Sequence, residues 1–337
     1  MTEQSGGGFV HRPVQLSGGG TTGEWGIAVE APVELRVNGE PWTMMLATPE
    51  DLEDLAVGLA LTEQLVADAA AVTAIRISHC LGDWTADLTI DAPARPRRAR
   101  SLTGNTACGL CGLESLAAFR AGLDRLPGVE SRPVITDAAI QATWRALPQH
   151  QPINQATRSV HAAGWCTVDG EIVLVREDVG RHNALDKLVG ALARQQQLGR
   201  PGFVTMTSRC SVELVAKAAV ARAALLATIS APTTLALTWS ETLGVPLASA
   251  GADRQVVRFR PRPPMLAADL IRMSTQIAQF FEPYPEAEAV TGVADHLRSF
   301  WDPSMRRELL TLHRNDATQL HPLVARASEQ LAAELTP

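Results

Sequence analysis

VELRVNGEPWTMML, residues 33–46, places two β-prone runs on either side of polar Asn38-Gly39, which predicts a tight hairpin. A helical period follows. In TPEDLEDLAVGLALTEQLV, Leu52, Leu55 and Leu59 fall on one helical face, with Thr48 placed to cap the helix and Pro49 in its first turn. Two strands follow, near 72–79 and 84–90, so this first part reads as a small α+β unit. Further on, ITDAAIQATWRAL predicts a helix, and SVHAAGWCTVDGEIVLVRED a second hairpin turning at Asp169-Gly170. Elements alternate after that: a helix from about 182, strand GFVTMTS, helix VELVAKAAVARA, strand ALLATIS, and a helix from PTTLALTWSETLG that Gly244 can end. Alternation predicts an α/β layer fold with largely parallel strands. Ligands on such sheets sit beyond the carboxyl ends of the strands, here Thr207-Ser208-Arg209 and Ser230-Ala231-Pro232.

RFRPRPP, residues 258–264, marks a boundary. Beyond it Leu266, Leu270, Met273, Ile277 and Phe281 form one helical stripe, and shorter helices are expected around 286–300, 303–313 and 321–335. The layout is therefore a Gly/Ser/Thr-rich tail over 1–23, expected to be disordered, an α+β unit over 24–105, a cysteine loop and α/β core over 106–262, and a helical module over 263–337.

Composition narrows the function. The 337 residues carry a net charge of −6, which argues against a nucleic-acid protein working by bulk charge. The most apolar stretch is broken by Lys217, Arg222 and Pro232, so no membrane span is expected. Five cysteines without framework spacing suggest a reducing compartment, and with no apolar leader at the start the expected location is the cytoplasm.

Two of those cysteines, Cys108 and Cys111, lie in TACGLCG ahead of a predicted helix. Structural zinc wants four ligands, and only this one pair exists; a deaminase-type zinc site needs H-x-E before P-C-x-x-C, which is absent. No zinc is expected. A redox dithiol and a sulfur carrier both remain open on spacing alone. A helix N-terminus favours the thiolate that either needs. The flanking Gly104, Gly109 and Gly112 suit a carrier arm that visits two places. Cys80, Cys166 and Cys210 read as small buried hydrophobes.

REDVGRHNALDKLVG, residues 176–190, is the densest run of functional residue types. A glycine turn into a helix makes an anion-binding nest, so Asp178 through Asn183, including Gly180, Arg181 and His182, is read as a site. Asp186 and Lys187 read as a solvated helix face. His161 becomes a candidate if His182 and Asp178 share its neighbourhood. Arg209, between a strand and a helix, suits a phosphate. Glu213 and Lys217, four apart, read as a surface ion pair.

Taken in order, TACGLCG, EDVGRHNALDKLVG, TSRCSVELVAKAA and SAPTTLA, with the upstream run from Ala31 to Val66, resemble the FdhD family of formate dehydrogenase accessory sulfurtransferases over about residues 28–260. The resemblance implies a cytidine-deaminase-like α/β core without zinc and a homodimer. It implies sulfur taken from a cysteine desulfurase onto Cys108 and Cys111, then passed to bis-molybdopterin guanine dinucleotide bound for formate dehydrogenase. GDP would mimic that acceptor. The implied cofactor-side residues are His161, Glu177, Asp178, Gly180, Arg181, His182, Asn183, Thr207, Ser208, Arg209, Ser230, Ala231, Thr233 and Thr234. The chain departs from the family pattern at Thr157 to Val160, at Val212 and over 248–259. The tail, LIRMSTQIAQFF through HLRSFWDPSMRRELL and LHPLV, resembles the delta subunit of NAD-dependent formate dehydrogenases. His296, Trp301 and Arg306 there suit packing or docking. A chaperone that holds cofactor and apo-formate dehydrogenase without transferring sulfur is the alternative reading.

Overall fold

The computed structural model describes residues 8–15, 22–80, 82–91, 133–259, 267–301 and 303–335. Cys108, Cys111, the helix expected after them and most of the RFRPRPP junction lie outside the described residues. The chain divides into two compact units, Met1–Arg260 and Pro261–Pro337. The α+β unit and the α/β core expected from the sequence thus belong to one body.

The first unit opens with a hairpin. Strands β1 (Phe9–Gln15) and β2 (Thr22–Ala28) pair antiparallel from Phe9↔Ala28 to Gln15↔Thr22. The expectation of disorder over 1–23 fails for Phe9–Gln15. Glycine and serine dominate the average there, but Phe9, Val10 and Val14 supply a β-prone run of their own, and the Gly8 N–H is fixed by Glu50 at 2.8 Å.

A four-stranded sheet follows, in the order β4-β3-β6-β5, from β3 (Ala31–Val37), β4 (Glu40–Ala47), β5 (Val72–Cys80) and β6 (Asp83–Ile90). The β3–β4 turn has Asn38 at φ 52° and Gly39 at φ 81°, as a two-residue Asn-Gly turn requires. Asn38 also grips β6, donating to the Ile90 carbonyl and accepting from its N–H at 2.8 Å.

Helix α1 (Leu52–Thr62) is buried on nearly every side, not along one stripe. Leu52 and Leu55 pack with Val33 and Ala47 of the sheet. The opposite side meets helix α4 (Arg181–Arg194), where Gly58 and Gly190 allow backbone-to-backbone crossing. A Cβ on Gly58 would overlap the Asp186 carbonyl, and one on Gly190 the Asp54 carbonyl. Thr48 does not cap α1. Asp51 precedes the helix in left-handed conformation, and Thr48 instead bonds Asp178 and Val179.

The second sheet has six strands in the order β12-β11-β10-β9-β7-β8. They are β7 (His161–Cys166), β8 (Ile172–Asp178), β9 (Phe203–Met206), β10 (Leu226–Thr228), β11 (Leu247–Ala250) and β12 (Val256–Phe259). Only β9, β10 and β11 run parallel. The expected parallel sheet is therefore confined to the centre. Short turns join β7 to β8 and β11 to β12, and a short turn can only connect antiparallel neighbours. Strand residues alternate between two cores. Val204, Met206, Leu226 and Leu247 face α4, α5 (Val212–Val220) and α6 (Thr234–Thr242). Phe203, Ala227 and Ala248 face Ile140 and Trp144 of α2 (Asp137–Ala146), which Thr136 caps. A short helix, α3 (Pro152–Thr157), precedes β7.

The second unit is helical: α7 (Ala267–Phe281), α8 (Glu286–Phe300), α9 (Pro303–Asp316) and α10 (Pro322–Leu335). Its core joins Leu270, Val293, Leu297, Trp301, Leu309, Val324 and Leu331, with Met273, Ile277 and Phe281 of the predicted stripe packed against it. Leu266 is not among the described residues. His296 stacks at a tilt on Phe300, 4.8 Å between ring centres. Among the described residues no helix is long and apolar enough to cross a membrane.

Candidate functional site

The turn from β8 into α4 is built around Asp178, which is wholly buried. One carboxylate oxygen accepts from the Gly180 N–H at 2.8 Å and Asn183 Nδ2 at 3.0 Å. The other meets Lys187 Nζ at 2.7 Å and the Thr48 N–H at 3.0 Å. The Gly180 nest, expected to take an external anion, is thus occupied by the chain's own carboxylate. Glu177 behaves similarly: it accepts the Ile153 and Asn154 N–H groups at 2.9 Å each, at the start of α3. Burial raises its pKa, and those two bonds oppose the rise. In this structure Glu177, Asp178, Gly180 and Asn183 support the loop from within.

Lys187 has no exposure, contrary to the solvated face expected of it; it also donates to the Thr48 and Glu177 carbonyls. Asp186 is buried too, with both oxygens on Lys217 Nζ at 2.6 and 2.8 Å and a bond from Thr62. Lys217 therefore does not pair with Glu213. The period of α4 could not reveal this, because α1 covers the face that would otherwise meet water.

The ends of β9 and β10 form an open rim. Thr207 Oγ1 accepts from the Ala162 N–H at 2.9 Å and lies 3.4 Å from His161 Nδ1. Ser208 is buried and its hydroxyl donates to the Arg209 carbonyl at 3.0 Å, whereas the Arg209 side chain is exposed and its guanidinium has no hydrogen bond or ion pair among the described residues. Past β10, the Ser230 carbonyl is held by the hydroxyls of Thr228 at 2.7 Å and Ser249 at 3.0 Å. Thr233 caps α6, and its N–H donates to the Cys210 carbonyl, which joins this loop to the one bearing Arg209. Ala231 and Thr234 are exposed beside it. Ser249 gave no sequence signal, since a serine at a strand end is ordinary until its neighbours are known.

His161 and His182 do share a neighbourhood. Burial first, then the nearby charges of Arg181 and His182, hold the His161 pKa below its usual 6.5, while Asp178 opposes them. His182 Nε2 lies 3.2 Å from Ser211 Oγ and 2.8 Å from Glu213 Oε2. Both Glu213 oxygens are buried and accept no hydrogen bond among the described residues. Ser211 opens α5 yet makes no side-chain cap, its hydroxyl being turned to His182.

The lowered His161 pKa gives a pH prediction. Below about pH 6.5 the unfolded chain takes up a proton that folded His161 resists, so this residue lowers stability as pH falls. His161→Gln is expected to flatten the acid limb of a melting-temperature profile between roughly pH 7 and pH 5, the window set by the usual histidine pKa. An unchanged limb would mean that His161 titrates alike in both states.

Cys166 and Cys210 are buried, which pushes their thiols up to about 12. They behave as the small hydrophobes expected. Cys80 is instead exposed, at the end of β5.

Comparison with known proteins follows the same residues. Residues 28–258 match the model of the FdhD/NarQ family, and residues 269–328 that of the NADH-dependent formate dehydrogenase delta subunit FdsD. The chain is 44% identical over 228 residues to the sulfur carrier protein FdhD of Variovorax paradoxus, covering 67% of this chain and 81% of the relative. It is 43% identical over 257 residues to the protein of that name from Xanthomonas axonopodis pv. citri, covering 75% and 90%. A crystal structure of a putative formate dehydrogenase accessory protein from Desulfotalea psychrophila shares the fold, with a TM-score of 0.58 at 19% identity, covering 75% of this chain and 96% of that one.

Proposed function

This chain belongs to the FdhD/NarQ family, and on that footing we propose that it carries sulfur to bis-molybdopterin guanine dinucleotide for the maturation of formate dehydrogenase. The donor is a cysteine desulfurase, which leaves a sulfane sulfur on Cys108 or Cys111 as a persulfide. The other thiol then attacks the cysteine sulfur of that persulfide. A disulfide forms between the two cysteines, the bond to the terminal sulfur breaks, and the terminal sulfur leaves with its electron pair as hydrosulfide for the acceptor. A dithiol reductant returns the pair to thiols before the next cycle.

The acceptor's phosphates need a cationic, donor-rich surface, and the rim at the strand ends supports that reading. The observation that carries it is Arg209, exposed at the end of β9 with no partner of its own among the described residues. His161, Arg181 and His182 cluster on the same edge, and Thr234 offers a hydroxyl at the start of α6. An unoccupied guanidinium is suited to bind a phosphate in a two-pronged manner. Glu177 and Asp178 act one layer back, by fixing the loop that carries Arg181 and His182.

Arg209→Ala is expected to weaken GDP binding by roughly 1–3 kcal/mol, about 5- to 150-fold, the range for losing hydrogen bonds to a charged group. Isothermal titration of the full chain measures it. An unchanged dissociation constant would remove Arg209 from the acceptor site.

The FdsD-type segment favours a second role: holding the apo-enzyme close while the cofactor is delivered. A homodimer and direct contact with the formate dehydrogenase catalytic subunit belong to the same proposal. A pure chaperone would do this without Cys108 and Cys111, which is the distinction tested in the Discussion.

A further inference from the structure

Glu213 poses an electrostatic problem. Its two oxygens are buried, neither accepts a hydrogen bond among the described residues, and the lysine one turn along, Lys217, is committed to Asp186. A buried carboxylate without a partner is costly, so such groups are normally paired. The only basic side chain placed against it among the described residues is His182, whose Nε2 is 2.8 Å away.

His182 is the more accessible member, its side chain 18% exposed against 11% for Glu213. Nε2 faces inward, toward Ser211 Oγ and Glu213 Oε2. A carboxylate beside one ring nitrogen restricts the ring's orientation and leaves the opposite nitrogen for another partner. Here the ring stands at the start of α4, on the edge that also carries Arg181, His161 and exposed Arg209.

We infer that Glu213 is a positioning residue for anion recognition: its carboxylate, 2.8 Å from Nε2, holds the His182 ring so that, with a proton on each ring nitrogen in the bound complex, Nδ1–H faces a phosphate oxygen of the acceptor. Ser211 Oγ, 3.2 Å from Nε2, limits ring rotation. The sequence pattern hid this role, because Glu213 and Lys217 at helical spacing look like a surface pair. This inference rests on the reading of the rim as the phosphate site.

The test is a double-mutant cycle on the full chain, with GDP as the probe and titration calorimetry as the readout. His182→Gln and Glu213→Gln are each expected to weaken GDP binding about tenfold, on the order of one hydrogen bond to a charged group. The double variant is expected to bind like His182→Gln alone, because Glu213 acts only through that ring. Nitrogen-15 NMR of the imidazole supplies a readout that a merely structural role would not move: with GDP bound, the native ring is expected to carry a proton on both nitrogens, and the Glu213→Gln ring on only one. Melting temperatures check that the isosteric variant is folded. Should Glu213→Gln fail to fold, Ser211→Ala takes its place, with a smaller loss of GDP affinity expected because the ring is then less restricted.

The outcomes separate cleanly. A weakened His182→Gln with an unchanged Glu213→Gln overturns the role of Glu213 and leaves the phosphate site standing. Losses that add in the double variant do the same. A His182→Gln chain that binds GDP like the native one overturns the inference, and if Arg209→Ala is also silent the phosphate site falls with it.

Discussion

A chain in which Cys108 and Cys111 are both alanine is expected to stay folded, to bind GDP like the native protein, and to lose the ability to activate formate dehydrogenase. The loss should be about a hundredfold or more, as when the group that forms a covalent intermediate is removed. The reason is chemical. Among the five cysteines, Cys166 and Cys210 are buried with thiols pushed up to about 12, so they cannot supply a thiolate near neutral pH. Cys80 is exposed but stands alone at a strand end, without a second thiol beside it among the described residues to complete the exchange. Incubation with a cysteine desulfurase and cysteine should add about 32 Da to the native chain, the mass of one sulfur on a persulfide, and nothing at these positions to the double variant. Each single variant should still load on its remaining thiol but fail to release sulfide, because no partner attacks the persulfide. Full maturation by the double variant would instead establish the chaperone reading and remove sulfur transfer.

Lys187→Met is expected to destabilise the first unit by about 3–5 kcal/mol, the cost of leaving a buried charge without its partner. Lys187 and Asp178 are both completely shielded from solvent, and their ion pair is 2.7 Å long. Asp178 would keep its bonds from Thr48, Gly180 and Asn183 but lose the only full positive charge beside it among the described residues. For a body of this size, that corresponds to a fall in melting temperature of roughly 6–20 °C. The paired change Asp178→Asn with Lys187→Met should recover a good part of the loss, since both charges are then gone. The readout is thermal unfolding of the native chain and both variants. A shift of under about 1 °C for Lys187→Met, within ordinary surface-substitution scatter, would contradict the burial of this pair. The same variant is also expected to loosen the turn that carries Arg181 and His182, so GDP binding should weaken with stability.

Much of the fold could be read from local pattern. Asn38-Gly39 and Asp169-Gly170 announced their hairpins because left-handed turn geometry restricts which residues can stand there. The helices of the second unit matched their apolar stripes closely, since a small bundle buries one face of each helix and exposes the other. The rim segments were also legible, as the carboxyl ends of alternating strands. What local pattern missed has a common cause. Thr48, Asp186, Lys187 and Lys217 each look like capping or surface residues within their own element. Each is instead engaged by an element more than 30 residues away, apart from the bond Lys187 also makes within its own turn.

The sequence by itself determined the family, the order of elements, the division near Arg260 and the cysteine pair on which the proposed chemistry depends, because these are carried by residue identity and spacing along the chain. Only the tertiary structure decided which polar residues stand exposed at the rim and which hold the scaffold. Gly58 and Gly190 let α1 and α4 meet backbone to backbone, and that contact removes water from the charged face of α4. Once water is excluded, charges must pair internally. Asp178 takes Lys187, Asp186 takes Lys217, and Glu213 is left to His182.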